Sequence, residues 1–197
     1  MKDAIIPDLE LIPENYFAPL NLAQVFPRAA PLEVDLGCGD GTFLVALAAK
    51  FPDRNFLGLE RLLGRVRSAC GKAARAKLPN VRLLRIESSY AVECLFPPAS
   101  VAVGHLLFPD PWPKKRHHRR RIITAEFVAA MHRILAPQGR FRIATDQKDY
   151  FEAIRALISP AAFREGRGSA DFPLTTFEKH FVRQGAPIYR LELVKVS

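Results

Sequence analysis

The sequence has few cysteines and no long apolar segment. Its 197 residues include three cysteines, Cys38, Cys70 and Cys94, whose wide spacing matches neither a disulfide framework nor a set of metal ligands. A reduced, cytoplasmic setting therefore fits best, and we expect no metal. No apolar run reaches the roughly 18 residues that a membrane-spanning helix needs. The acidic N-terminus lacks the basic start and apolar core of a signal peptide, so we expect no membrane contact.

Acidic residues are scarce relative to basic ones. The chain has 20 Asp and Glu against 29 Lys and Arg, which gives a formal net charge of +9. This balance favours a polyanionic partner such as nucleic acid over an acidic protein. Apolar residues make up 49% of the chain, which is enough for the core of one domain. No internal repeat or low-complexity tract divides the sequence.

Short apolar segments alternate with helical periodicities from Pro31 onward. The predicted strands are 32–36, 55–59, 81–86, 101–108, 140–145 and 188–196. This alternation predicts an α/β class with a Rossmann-like fold, in which a mostly parallel central sheet has helices on both faces. A turn signal at 184–187 suggests that the last strand is antiparallel. We assign 32–197 to this domain and 1–31 to an irregular, proline-interrupted N-terminal arm with one short helix near 20–25.

Four local expectations concern turns, loops and helix ends. Thr42 is a candidate N-cap for the first helix of the domain. Residues 137–139 (Pro-Gln-Gly) are expected to end a helix before the fifth strand. Residues 163–175 are expected to form a loop, and the helix that follows is expected to begin with Thr175 as its cap and Glu178 three residues later, in a capping box.

A glycine-rich loop, Gly37-Cys38-Gly39-Asp40-Gly41, follows the first predicted strand. The glycines allow the backbone to turn sharply and to approach a ligand closely. A dinucleotide fingerprint needs its third glycine at position 42, which is Thr42, so a nucleotide-dependent oxidoreductase is disfavoured. The loop with Asp35 just before it is typical of methyltransferases that use S-adenosylmethionine (SAM).

Acidic residues cluster at the ends of the predicted strands. Four strands end in Glu60, Glu87, Asp110 and Asp146, and Asp35 lies just before the end of the first strand. One such acid alone indicates ordinary solvent exposure. The set favours a ligand-binding edge, because open α/β sheets bind ligands at the carboxyl ends of their strands. A carboxylate at Glu60 suits the two hydroxyls of a ribose, and one at Glu87 suits an adenine amino group.

A dense cationic stretch follows the fourth predicted strand. Residues 114–121 read Lys-Lys-Arg-His-His-Arg-Arg-Arg, and the chain's single tryptophan, Trp112, precedes them. Such a run is commonly a solvated surface, but beside a ligand-binding edge it suggests a polyanionic substrate. Trp112 either stacks on a target base or packs against Pro111 and Pro113. The basic helix predicted at 61–77 either extends this surface or only contributes to solubility.

Several segments carry a resemblance to a known family. They are Phe108-Pro-Asp-Pro-Trp-Pro-Lys-Lys-Arg-His117 continuing to Arg121, Thr145-Asp146, and Thr175-Thr176-Phe177-Glu178-Lys179-His180-Phe181 followed by Gly185-Ala-Pro-Ile-Tyr-Arg190. With these and the glycine loop, over roughly residues 32–195, the sequence resembles the bacterial tRNA (guanine-N7)-methyltransferases, which modify position 46 in the tRNA variable loop. The resemblance implies SAM as cofactor and tRNA as partner, with no obligate protein partner evident.

The resemblance also implies site residues, which the glycine loop supplements. The expected cofactor-binding residues are Asp35, Gly37, Gly39, Gly41, Glu60, Glu87 and Asp110. Asp110 also matches the family residue assigned as catalytic. The expected substrate-binding residues are Lys114, Asp146, Thr175, Thr176, Phe177 and Glu178. The chain departs from the family at Asp35, where glutamate is usual, and at Glu87, where aspartate is usual; both changes keep the charge.

The chemistry implied by the resemblance needs no general base. Guanine N7 carries a lone pair and no proton, so the task is mainly one of positioning. Asp110 is expected to orient the guanine and to stabilise the positive charge that develops on it. Two alternatives remain: the same chemistry on another RNA or a small molecule, and a non-catalytic RNA-binding module. The basic loop argues against a small molecule, and the full set of acids argues against a decayed cofactor site.

Overall fold

A computed structural model describes residues 9–166, 168 and 172–196 and contains one eight-stranded sheet. The strands are β1 (Glu10–Leu11), β2 (Leu32–Leu36), β3 (Asn55–Glu60), β4 (Val81–Arg85), β5 (Val101–Leu107), β6 (Leu135–Thr145), β7 (Phe163–Glu165) and β8 (Tyr189–Lys195). Their order across the sheet is β1-β4-β3-β2-β5-β6-β8-β7. β8 runs antiparallel to both of its neighbours, and the other pairs are parallel. The predicted α/β class and the antiparallel last strand are confirmed.

Helices cover both faces of the sheet. They are α1 (Leu22–Val25), α2 (Thr42–Lys50), α3 (Leu63–Arg75), α4 (Ser88–Tyr90) running into a π-helix (Ala91–Leu95), a 3-10 helix (Lys115–Arg120), α5 (Ala125–Ile134), α6 (Lys148–Ala156) and α7 (Thr176–Arg183). α2 and α3 bury their apolar residues on one face, against β3 and β4. The π-helix, α5 and α6 pack on the opposite face. No helix in the described part of the chain is both long and apolar enough to cross a membrane.

The strand order reverses direction between β2 and β5. From β2 the chain proceeds through β3 to β4 on one side, and from β5 through β6 on the other. Loops that leave the carboxyl ends of β2 and β5 therefore diverge, and they open a crevice between them. Ligands of open α/β sheets bind at such a switch point.

The turn residues expected to end α5 instead lie inside a strand. β6 begins at Leu135, which pairs with Val101, and its pairing then jumps so that Arg140 faces Val103. The intervening residues form a bulge in which Gln138 has a φ of +59°. The prediction of a helix stop at 137–139 was wrong because a Pro-Gln-Gly turn signal does not distinguish a helix end from a strand bulge.

Two short edge strands were missed by sequence reasoning. Residues 163–175, expected to be a loop, begin with the three-residue strand β7, which pairs with the end of β8. In the N-terminal arm, Glu10–Leu11 pairs with β4, and Leu20 and Phe26 are buried in the main core. Segments this short show no measurable alternation, so only their pairing partners reveal them. The division of the chain at residue 31 stays a prediction.

Candidate active site

The carboxyl ends of five adjacent parallel strands form one rim. Across the sheet these strands are β4, β3, β2, β5 and β6, and their registers bring the last residues of neighbouring strands within two positions of each other. The predicted acids follow along this rim in the order Glu87, Glu60, Asp35, Asp110 and Asp146. The expectation that strand-end acids share one edge of the sheet therefore holds for all five.

The glycine loop joins β2 to α2 at this rim. Gly37, Gly39 and Gly41 have left-handed φ angles of +82°, +57° and +75°, a conformation that glycine adopts without steric cost. A Cβ added at Gly41 would lie 2.5 Å from the Cβ of Ala69, so α3 packs directly against the loop. A Cβ added at either of the other two would meet no atom within 4 Å, so the loop borders open space there. The N-cap of α2 is Gly41, and the expectation of Thr42 as cap was wrong.

Glu60 ties the glycine loop to the end of β3. Its Oε2 accepts a hydrogen bond from the Gly39 N–H at 3.2 Å, and its Oε1 accepts one from the Leu62 N–H at 2.9 Å. Arg65 Nη1 lies 3.8 Å from the same carboxylate. Glu60 is buried beneath these groups, so its position relative to the open loop is fixed by the backbone.

Asp35 is a buried acid beside another acid. It is 4% exposed, and burial, with the negative charge of Glu60, raises its pKa from 3.8 to about 7. Among the described residues, no cationic side chain pairs with Asp35 within 4 Å. A positively charged ligand at the rim would favour the ionised form of Asp35, which matches the sulfonium and ammonium groups of SAM.

An ion pair that the sequence did not reveal holds the glycine loop on α3. Asp40 pairs with Lys72, whose Nζ also donates to Thr42 Oγ1 at 2.6 Å. Partial burial alone would raise the pKa of Asp40, but the hydrogen bonds from Lys72 and Thr42 hold it below its ordinary value. Lys72 is therefore a loop-anchoring residue rather than a free cation of the basic helix.

Glu87 lies at the exposed end of the rim. Its Oε2 accepts a hydrogen bond from the Tyr90 N–H at 2.9 Å and so caps α4. Tyr90 Oη donates to the Tyr16 carbonyl at 2.8 Å, which brings the N-terminal arm beside this end of the rim. The contact of Glu87 with an adenine stays a prediction.

The loop after β5 carries Asp110 at the other side of the switch point. Asp110 is exposed. The loop begins at Phe108, which has a φ of +55° and whose N–H donates to the Ala144 carbonyl at 2.8 Å. The Phe108 ring lies 6.2 Å from Phe177 and 5.4 Å from Phe181. These contacts bring α7, which is distant in sequence, against the loop that holds Asp110.

The predicted substrate segment forms the start of α7. Thr175 Oγ1 accepts from the Glu178 N–H at 2.9 Å and Glu178 Oε2 accepts from the Thr175 N–H at 2.8 Å, which confirms the expected capping box. Glu178 is buried and also pairs with Arg190 at 3.1 Å. Phe177 is 58% exposed. Thr176 is the first residue of the helix.

The cationic stretch is largely on the surface. Its exposed members are Lys114, Lys115, Arg116, His118, Arg119 and Arg120. The guanidinium carbon of Arg120 lies 4.9 Å from the centroid of the Trp112 ring, and the His117 ring meets the same tryptophan edge-on at 5.9 Å. Trp112 therefore packs within its own loop, and stacking on a base stays a prediction. Asp146, directly after β6, accepts a hydrogen bond from Gln147 at 2.6 Å.

A row of largely buried charged residues crosses the sheet at the level of Asp35, and sequence reasoning missed it. His105 on β5 pairs in register with Arg142 on β6, which in turn pairs with Glu192 on β8. His105 Nε2 lies 2.8 Å from Glu33 Oε2, and Arg142 Nε donates to Glu192 Oε2 at 2.7 Å. The signal was present as charged residues at alternate strand positions, which share one face of a strand.

This row forms the floor of a cavity of about 530 Å³. Phe43 and Leu107 contribute to its walls, and Glu178 and Arg190 line it near the rim. Phe172 covers Arg142, with its ring centroid 3.5 Å from the guanidinium carbon. The cavity therefore extends from the start of α7 to the charged row on the strands. Its volume is in the range of small-molecule sites.

A family model described as "Putative methyltransferase" matches residues 29–191 of this chain. A tRNA (guanine-N(7)-)-methyltransferase of Sodalis glossinidius (strain morsitans) is 40% identical over 185 residues, which cover 90% of this chain and 77% of that protein. A protein of the same name from Syntrophotalea carbinolica is 33% identical and covers 89% and 79%. The chain belongs to the tRNA (guanine-N7)-methyltransferase family. The resemblance stated from the sequence is thereby confirmed.

Solved structures similar to this chain share its fold at low sequence identity. The 16S rRNA methyltransferase KamB aligns with a TM-score of 0.63 at 17% identity, covering 89% of this chain and 92% of that one. TrmN from Thermus thermophilus aligns with a TM-score of 0.62 at 16% identity, covering 86% and 45%. Family and fold together confirm the predicted Rossmann-like, SAM-dependent methyltransferase class. No group of three or more potential metal ligands occurs among the residues that the structure describes.

Proposed function

We propose that this protein transfers the methyl group of SAM to N7 of guanine in tRNA, at position 46 of the variable loop. The observation that carries the proposal is the single rim that joins buried acids, an open glycine loop and an exposed cationic helix. The names of the 40% and 33% identical relatives support the reaction and the tRNA substrate. Three free cysteines are consistent with action in the cytoplasm.

The donor is proposed to bind across the glycine loop, against the residues Asp35, Gly37, Gly39, Gly41, Glu60, Glu87 and Asp110. The open space at Gly37 and Gly39 leaves room for a ligand against the backbone. Asp35 offers a negative charge that has no cationic partner within 4 Å among the described residues. Glu60 offers a carboxylate that two backbone N–H groups orient, as a ribose diol requires.

Residues beyond the switch point are proposed to bind the substrate. Lys114, Asp146, Thr175, Thr176, Phe177 and Glu178 lie on the loop after β5, the end of β6 and the start of α7. The adjoining cavity of about 530 Å³ is large enough for a nucleoside, and its lining includes Glu178. A base that leaves its stack costs a few kcal/mol, which binding to this segment would offset. Exposed cations of the 3-10 helix would contact tRNA phosphates.

The rim performs this reaction mainly by positioning and electrostatics. When bound, SAM supplies a methyl carbon whose bond to sulfur breaks, with its electron pair left on sulfur, as the guanine N7 lone pair forms the new bond. No proton leaves N7, so the chain needs no base there. Asp110 would accept hydrogen bonds from the guanine edge and stabilise the positive charge that appears on the ring.

The direct test incubates the protein with labelled SAM and unmodified tRNA, followed by chemical cleavage at N7-methylguanine. We expect cleavage at a single site, position 46. Asp110→Ala should lower kcat by at least a hundredfold while tRNA retention stays near normal, because one preorganised electrostatic contact is worth about 10²–10³ in rate. Asp149→Ala, which alters an exposed acid in the first turn of α6, is the matched control. Unlabelled tRNA, cleavage at another position, or wild-type turnover by Asp110→Ala would contradict the proposal.

A further inference from the structure

The loop that carries Asp110 contains two bulky residues in a conformation that favours glycine. Phe108 has a φ of +55° and Trp112 a φ of +42°. Side chains with a Cβ adopt this region at a cost in free energy, and they persist there only where their surroundings hold them. The loop between Phe108 and Trp112 therefore needs contacts at both ends to keep Asp110 in place.

The near end of the loop is held by neighbours already described, β6 and α7. The far end is held by Arg121, whose Nε donates to the Pro111 carbonyl at 2.8 Å. The guanidinium carbon of Arg121 also lies 4.5 Å from the centroid of the Tyr150 ring. Tyr150 belongs to α6 and is 1% exposed. Arg121 thus bridges the residue after Asp110 to a ring fixed in the core.

Arg121 differs in this respect from Arg119 in the same cationic stretch. Arg119 is exposed, whereas Arg121 is half-buried, with its Nε–H engaged and its planar group over a ring. An arginine can donate from Nε while its flat face stacks, and a lysine ammonium cannot do both. The geometry therefore separates Arg121 from the residues available to phosphates.

We propose that Arg121 is a positioning residue for Asp110 rather than a tRNA phosphate contact. The inference rests on the proposed function, because it assigns Arg121 a part in the same methyl transfer. The sequence suggested a polyanionic partner for the whole stretch 114–121, and this assignment takes Arg121 out of that surface. The Pro111 carbonyl is one peptide unit from Asp110, so its displacement moves the carboxylate directly.

The test compares Arg121→Lys with Arg119→Ala under multiple-turnover conditions over a range of salt concentrations. Arg121→Lys keeps the charge but loses the planar stack, so kcat should fall about ten- to a hundredfold, as for a small misplacement of a reacting group. Its KM for tRNA and its salt dependence should stay close to wild type. Arg119→Ala should show the opposite split, with a raised KM and a flatter salt slope. Arg75→Lys, at the distant end of α3, is the control for unchanged activity.

A second readout does not depend on methyl transfer. Trp112, the chain's single tryptophan, lies two residues from Asp110 and reports on this loop by its fluorescence. Arg121→Lys should change its emission and acrylamide quenching, while Arg75→Lys should not. If wild-type protein fails to methylate tRNA, the proposed function fails but this readout still tests the inference. Unchanged fluorescence, or a raised KM at wild-type kcat, would overturn it.

A second variant keeps the proposal testable if Arg121→Lys does not fold. Tyr150→Leu removes the ring beneath the guanidinium but leaves Arg121 and its charge in place. It should reproduce the fall in kcat. Tyr150→Phe retains the ring and should keep most of the wild-type kcat. Wild-type kcat in a folded Tyr150→Leu protein would show that the bridge to α6 has no part in placing Asp110.

Discussion

Asp35 links the chemistry of the rim to the stability of the folded chain. Its pKa is raised to about 7 by burial and by Glu60, so between about pH 4 and 7 the folded protein keeps a proton that the unfolded chain has released. The free energy of unfolding contributed by this residue therefore falls as the pH rises through that window. A cationic ligand beside Asp35 would remove the penalty by favouring the carboxylate.

Asp35→Asn should stabilise the ligand-free protein at alkaline pH. The gain in the free energy of unfolding at pH 8 is at most about 4 kcal/mol, since one pKa unit corresponds to about 1.4 kcal/mol. At pH 5 it should be less than half as large, because the carboxyl is then protonated in the folded wild type. Urea unfolding at the two pH values measures the difference, with Asp149→Asn as the exposed control. An equal effect at both pH values would show that Asp35 is ionised in the folded protein.

Residues at the rim were visible in the sequence for a physical reason. Asp35, Glu60 and Asp146 adjoin apolar strands whose carboxyl ends must meet at one edge once the sheet is parallel. The row from His105 to Glu192 could not be assembled from the sequence, because it depends on which residues of different strands are in register. Alternating polarity within one strand indicates a face but does not identify its neighbours.

The glycines of the loop between β2 and α2 are needed for two different reasons. Gly41 is needed for packing against α3, and Gly37 borders the open space of the proposed donor site. Gly37→Ala should cost about 1–2 kcal/mol, the penalty of a left-handed φ alone. Gly41→Ala should cost about 1–3 kcal/mol more, because its Cβ would also overlap Ala69. Gly64→Ala, within α3 at ordinary φ and with open space around it, should stabilise by up to about 1 kcal/mol.

Calorimetry with SAM separates the effect of a glycine on donor binding from its effect on stability. Gly37→Ala places a methyl group in the open space of the proposed donor site, so its affinity for SAM should fall at least tenfold although the fold is mildly affected. Denaturant midpoints for the three glycine variants give their stabilities. Equal stability of the Gly37 and Gly41 variants would contradict the close approach of α3 to the loop.

The helix α3 presents its basic residues to two different parts of the molecule. It begins at the rim, where Arg61 and Arg65 follow Glu60, and runs back toward the opposite edge of the sheet. Arg75 lies about 15 Å farther along the axis at 1.5 Å per residue, and Lys77 follows it. The basic residues of this segment therefore fall into a group at the rim and a group far from it. The sequence alone does not distinguish the two groups, because the distinction depends on the direction of the helix.

If tRNA docks across the rim, cations at the start of α3 should contribute and those at its end should not. Arg61→Ala combined with Arg65→Ala should lower the affinity for tRNA and reduce the slope of log K against log salt by about 2, because each phosphate that is no longer neutralised lowers the slope by about one. Arg75→Ala combined with Lys77→Ala removes the same charge and should leave the slope unchanged. Equal slopes for the two double variants would mean that net charge alone attracts the tRNA.

At the scale of the whole molecule, one half of the sheet is covered by helices on the α2 side and the other half is not. On the α2 side of the sheet, helices cover β3 and β4, whereas β5, β6 and β8 present the charged row and the cavity there. Burial alone would raise the pKa of Glu33, yet its contacts with His105 and Arg54 hold it below its ordinary value. A partner for each buried charge is what makes a polar face tolerable inside the fold.

Glu192 pairs with Arg142 of this row and with the neighbouring, more exposed Arg140. Its carboxylate accepts from Arg140 at 2.8 Å and from Arg142 at 2.7 Å, and its side chain is 4% exposed. Glu192→Gln removes the buried carboxylate that pairs with Arg142, so the free energy of unfolding should fall by about 3–5 kcal/mol. Glu165→Gln breaks the exposed pair with Arg155 at the edge of the same sheet and should cost less than about 1 kcal/mol. Guanidinium unfolding of both variants compares them directly, and a similar small loss in each would mean that the row is hydrated rather than a structural part of the site's floor.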